Sequence, residues 1–85
     1  VNGNNNGIYS NIVDKGESVT HVFDVWTKRE GWGQGNVFNG NVIGTKARLG
    51  VHVSDPSIGT TVVCTNNVIT TPGRLLSNAP TVICK

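Results

Sequence analysis

Methionine is absent from all 85 residues, position 1 included, and leucine is scarce, with three against thirteen valines and six isoleucines. A chain that starts at Val1 without an initiator reads as the mature product of a longer precursor. No window of about eleven residues carries an apolar face at i, i+3, i+4 and i+7, so helix is not expected anywhere. Charged residues make up only 14% of the chain and the net charge is +2, which argues against a protein that binds nucleic acid electrostatically. No apolar run approaches the roughly twenty residues that span a bilayer as a helix.

Cysteine is limited to Cys64 and Cys84. With no other thiol to compete, the two are expected to form one disulfide, which places the chain in an oxidising compartment and predicts a secreted, extracellular protein. Closing a loop of about twenty residues contributes roughly 3 kcal/mol in the loop-entropy model, a large share of the stability of so small a domain.

What is abundant is strand and turn material: the valines and isoleucines stand beside nine threonines, eleven glycines and eleven asparagines. Residues 1–7, rich in Asn and Gly, read as a flexible N-terminal segment, and residues 8–85 as a single β domain. Ser18 to Thr27 places Val19, His21, Phe23 and Val25 on one face and Val22 and Trp26 on the other, which predicts a central strand covered on both sides. Lys46 to Ser54 alternates, with Ala47, Leu49, Val51 and Val53 inward and Arg48 and His52 outward. Asn39-Gly40 between two β-branched stretches predicts a two-residue hairpin, because that pair tolerates positive φ at both central positions. The expected fold is all-β, a small antiparallel β-sandwich or barrel of six to eight short strands with one disulfide.

Two echoes run along the chain. His21-Val22-Phe23-Asp24 is matched by His52-Val53-Ser54-Asp55, and Asn11-Ile12-Val13 by Asn41-Val42-Ile43 and Asn67-Val68-Ile69. Their offsets differ, and a composition this rich in Asn and Val generates such triplets by chance, so they are not read as a duplicated unit.

No constellation of catalytic residues emerges. His21 and His52 are the only groups that titrate near neutral pH, and the alternation gives no reason to place them together. Asp24 stands alone in its strand, and Asp14 and Glu17 flank a turn. The cysteines lack metal-ligand spacing, so no metal and no cofactor is expected. Gly31-Trp32-Gly33-Gln34-Gly35 lacks the Lys-Ser or Lys-Thr ending of a phosphate loop.

Both tryptophans fall in one short stretch that also holds two basic residues. Trp26, Lys28, Arg29 and Trp32 are therefore the candidate binding residues, since Trp and Arg carry disproportionate energy at interfaces. The competing expectation is that Trp26 closes the core and Trp32 folds back over it. Tyr9-Ser10-Asn11 followed by Thr20-His21 resembles a stretch near the start of lactococcin-type bacteriocins, small secreted β-sandwich proteins that act at the cell envelope. Over that handful of residues the resemblance implies an exported protein with an envelope target, and it is not taken as membership. The functional expectation is a secreted toxin, antimicrobial or effector that binds a protein, carbohydrate or cell-envelope component without catalysis. A fibre or adhesin subunit is the first alternative, and a small nuclease using His21 or His52 the second.

Overall fold

The computed structural model describes residues 3–16, 21–26, 30–45 and 48–84. Among them lie ten strands: β1 (Gly7–Tyr9), β2 (Ile12–Gly16), β3 (His21–Val25), β4 (Val37–Asn39), β5 (Val42–Thr45), β6 (Leu49–Val53), β7 (Val62–Cys64), β8 (Val68–Ile69), β9 (Leu75–Ser77) and β10 (Thr81–Val82), with a short 3-10 turn at Asp55–Ser57. They form three sheets of order β1-β4-β7-β10, β2-β5-β8 and β3-β6-β9. Every pairing is parallel.

Each strand thus pairs with the strand three places later, which describes a solenoid: three coils of three strands each, and one strand of a fourth. The antiparallel sandwich or barrel is overturned by this register. Period-two alternation reports which side chains face inward, and it does so identically in parallel and antiparallel sheets. Direction is set by the connections, and here each return passes through the other two sheets, supplying the long crossover that parallel pairing requires.

The Asn39-Gly40 hairpin is corrected for the same reason. β4 and β5 belong to different sheets, and of the two turn residues only Gly40 has positive φ, at 72°. The turn is a corner between sheets. Ser10 occupies the same corner one coil earlier, also left-handed at φ 53°. The expectation of a central strand over 18–27 is corrected over its described part, because among the described residues β3 is an edge strand of its sheet, while residues 18–20 and 27 lie outside them.

Of the two echoes, one is structural and one is accidental. Asn11, Asn41 and Asn67 stack at successive corners: Asn11 Nδ2 donates to Asn41 Oδ1 at 3.0 Å, and Asn41 Nδ2 to Asn67 Oδ1 at 2.8 Å. Asn41 also donates to the Ile8 carbonyl, and Asn67 to those of Phe38 and Cys64, so the buried amides satisfy backbone groups that the corner leaves unpaired. The spacing of 30 and then 26 residues hid this repeat, since coils differ in loop length while their corners stay in register. His-Val-x-Asp is out of register, with His21 opposite Leu49 and His52 opposite Asp24.

Inward side chains stack by the same register. Ile8, Phe38 and Val63 line one side, Val13, Ile43 and Ile69 the second, and Phe23 with Val51 and Val25 with Val53 the third. Phe23 meets Phe38 edge-on at 5.5 Å across the interior. Cys64, fully buried in β7, is disulfide-bonded to Cys84 just beyond β10. No helix among the described residues is long and apolar enough to cross a membrane.

Candidate functional site

The outer face of the β3-β6-β9 sheet brings together residues that lie far apart in sequence. Alternation along β3 turns Phe23 and Val25 inward and Asp24 outward, and along β6 it turns Val51 and Val53 inward and His52 outward. Register then sets Asp24 directly opposite His52, whose Nδ1 lies 2.8 Å from Asp24 Oδ1. The second carboxylate oxygen, Oδ2, accepts the indole N–H of Trp26. One carboxylate therefore fixes an imidazole on one side and an indole on the other. The tautomer that carries its proton on Nδ1 is the one that lets His52 donate to this carboxylate.

The group sits at the surface: the side chain of Asp24 is 22% exposed and that of His52 39%. Trp26, just past the end of β3, is 57% exposed. Its indole N–H is turned to the carboxylate and its ring remains exposed instead of closing the core.

Trp32 reaches the same neighbourhood through the loop that follows. Gly31, Gly33 and Gly35 all have positive φ. At Gly33 glycine is required on two counts, the φ of 74° and the lack of room for a β-carbon, which would lie 2.2 Å from the Trp26 carbonyl oxygen and 2.8 Å from Ser57 Oγ. The absence of a side chain lets the loop press against the backbone of Trp26, and Trp32, next in sequence to Gly33, is exposed. The loop is anchored on both flanks: Asn4 Nδ2 donates to the Gly31 carbonyl, the Gln34 amide donates to Asn4 Oδ1 at 2.8 Å, and the Gly35 amide donates to Thr60 Oγ1 at 3.0 Å. The tryptophans are thus presented from fixed backbone.

Of the four residues expected to form the site, Trp26 and Trp32 are exposed and their segments are in contact, while Lys28 and Arg29 lie outside the described residues. His52 was weighed only as a nuclease histidine and Asp24 was read as standing alone, so their pairing was missed. Each looked isolated because 28 residues separate them, and only the coil register makes them neighbours. The backbone of His21 stands opposite Leu49, three positions along β6 from His52. Among the described residues, no group of three or more His, Cys, Asp or Glu side chains is placed to hold a metal ion.

Comparison with known proteins supplies no relative, since no family model, no curated protein and no solved structure matches the chain.

Proposed function

We propose that this chain is an extracellular binding protein that acts by contact with a target macromolecule, a protein or a carbohydrate of the cell envelope, through Trp26 and Trp32. The observation that carries this reading is the exposure of two indoles whose segments are in contact, one of them, Trp26, bonded to the Asp24 carboxylate that also meets His52. Indole faces supply apolar contact area at small entropic cost, and an adjacent carboxylate and imidazole supply directional hydrogen bonds that select among ligands. The Cys64–Cys84 disulfide is consistent with an extracellular location. Co-sedimentation with insoluble envelope polysaccharides and isolated cell walls tests the proposal. Wild type is expected in the pellet and the Trp26→Ala/Trp32→Ala double variant in the supernatant, with equal melting temperatures. Equal retention of both proteins would refute the site.

The Asp24–His52 hydrogen bond favours one second reading, a hydrolase in which His52 acts as a base oriented by Asp24. Cleavage of RNA or of an activated ester that disappears in His52→Ala would establish it in place of simple binding.

A further inference from the structure

We infer that Asn39-Gly40 is a site of spontaneous deamidation that the fold holds closed, and that Asn66, on the next coil, is the residue that closes it. An Asn-Gly pair is chemically labile because glycine has no β-carbon to shield its backbone nitrogen from the neighbouring carboxamide. In the reaction the Gly40 nitrogen bonds to Asn39 Cγ and passes its proton, by way of water, to the departing Nδ2. That nitrogen leaves as ammonia, and a five-membered succinimide remains. Water then opens the ring at one carbonyl or the other, so that position 39 becomes aspartyl or isoaspartyl. Water is the only co-reactant.

Both reacting groups are held by one side chain. Asn66 Nδ2 donates to Asn39 Oδ1 at 2.6 Å, and Asn66 Oδ1 accepts the Gly40 N–H at 3.2 Å. The Asn66 carboxamide thus bridges the electrophile and the nucleophile. A third bond holds the other side of the same peptide group, where the Ser10 N–H donates to the Asn39 carbonyl at 3.1 Å. Asn39 is the last residue of β4, in register with Tyr9 of β1, so its backbone is extended. From that conformation the Gly40 nitrogen reaches Cγ only after the peptide group rotates about the Asn39 Cα–C bond. The rotation swings the N–H off Asn66 and the carbonyl off Ser10, and the side chain must turn away from Asn66 as well. The reactive geometry therefore forfeits all three bonds.

The clamp lies at the surface, where Asn66 is exposed, so water reaches the pair as soon as it opens. The isoaspartyl product would route the main chain through Cγ and add one carbon to the corner between β4 and β5. Two residues on, Asn41 binds Ile8 and Asn67 in the buried stack, and a lengthened corner would displace it. Covalent change at this one pair is thereby coupled to the packing of three coils.

The test incubates the intact, oxidised protein in warm, mildly alkaline buffer and reads loss of each amide by peptide mapping. Asn6-Gly7, outside the clamp, serves as an internal clock. Asn66→Ala is expected to speed loss of the Asn39 amide about tenfold, the worth of the hydrogen bonds removed, and to leave the rate at Asn6 unchanged. In urea, wild type and variant should react at equal rates, and Asn39 should react faster than in native wild type. If circular dichroism finds Asn66→Ala unfolded, Asn66→Ser, whose side chain is too short to bridge the pair, takes its place. An unchanged rate at Asn39 in the folded variant would overturn the inference. So would equal acceleration at Asn6, which reports general loosening, or a native wild type that loses the Asn39 amide as fast as the protein in urea.

Discussion

Asn41 shows how much one side chain carries in a coil this thin. It is fully buried, accepts from the backbone and side chain of Asn11, and donates to Ile8 and Asn67. Asn41→Ala strands several of these groups away from water, at roughly 1–3 kcal/mol for each one left unsatisfied, so a loss of about 3 kcal/mol or more is expected in urea unfolding. Asn11→Ala, at the exposed end of the same stack, should cost under about 1 kcal/mol. Similar losses for the two variants would mean that the stack is not read correctly. Gly33 tests the site at the same scale. Gly33→Ala meets the Trp26 carbonyl head-on and retains a left-handed backbone, so the tryptophan loop must shift, with a cost of about 1–3 kcal/mol and loss of target binding. Gly31→Ala, where nothing lies within contact range, should show only the backbone penalty of about 1 kcal/mol and keep binding.

At the scale of elements, the corners decide the fold, and they were only half legible. Asn39-Gly40 announces a reversal of chain direction and delivers one, but positive φ at Gly40 serves a corner between sheets as well as it serves a hairpin, and no local signal separates the two. In the same way, the strands over 21–25 and 49–53 could be read from alternation, and the buried Val25, Val51 and Val53 and the outward His52 follow from it. Their neighbours could not be read, because partner choice depends on loop lengths that vary from coil to coil. The pairing of Asp24 with His52 was lost for that reason, whereas the tryptophans were found because they are close in sequence. Ser10 gives a check on the corner assignment. As a non-glycine residue held at φ 53° in the place that Gly40 fills one coil later, it bears a left-handed penalty of about 1–2 kcal/mol. Ser10→Gly should therefore raise stability by up to about 1 kcal/mol after allowance for the greater freedom of glycine in the unfolded chain, and thermal denaturation monitored by circular dichroism measures it. A destabilised Ser10→Gly protein would show that the serine side chain contributes more than the backbone strain costs.

For the whole molecule, stability is transmitted coil to coil, since among the described residues each strand hydrogen-bonds only to the strands before and after it in its sheet. The outermost described strands are therefore the places where such a stack frays, and β10 lies beside a covalent fastening, the Cys64–Cys84 bridge. β10 is held to β7 by two register pairs, Thr81 with Val63 and Val82 with Cys64, and the Thr65 amide donates to the Val82 carbonyl at 2.8 Å. Thr81, Val82 and Ile83 are all exposed, so side-chain burial adds little to that attachment. The Cys64–Cys84 bridge supplies the rest, closing a loop over a sequence separation of 20 that contains β8, β9 and β10. Cys84→Ser should cost roughly 3 kcal/mol through the freedom regained by the unfolded chain. Beyond that loss, the stacked architecture predicts where it appears. Amide exchange should rise first at β10 and along the newly uncovered edge of β7, then at β8 and β9, and least at β1 to β3, two coils away. A sandwich or barrel with one shared core would instead lose protection uniformly, because its strands all rest on the same interior. Uniform loss in Cys84→Ser would count against the solenoid, and a gradient falling from the C-terminal end toward the N-terminal coil is the result that the parallel register requires.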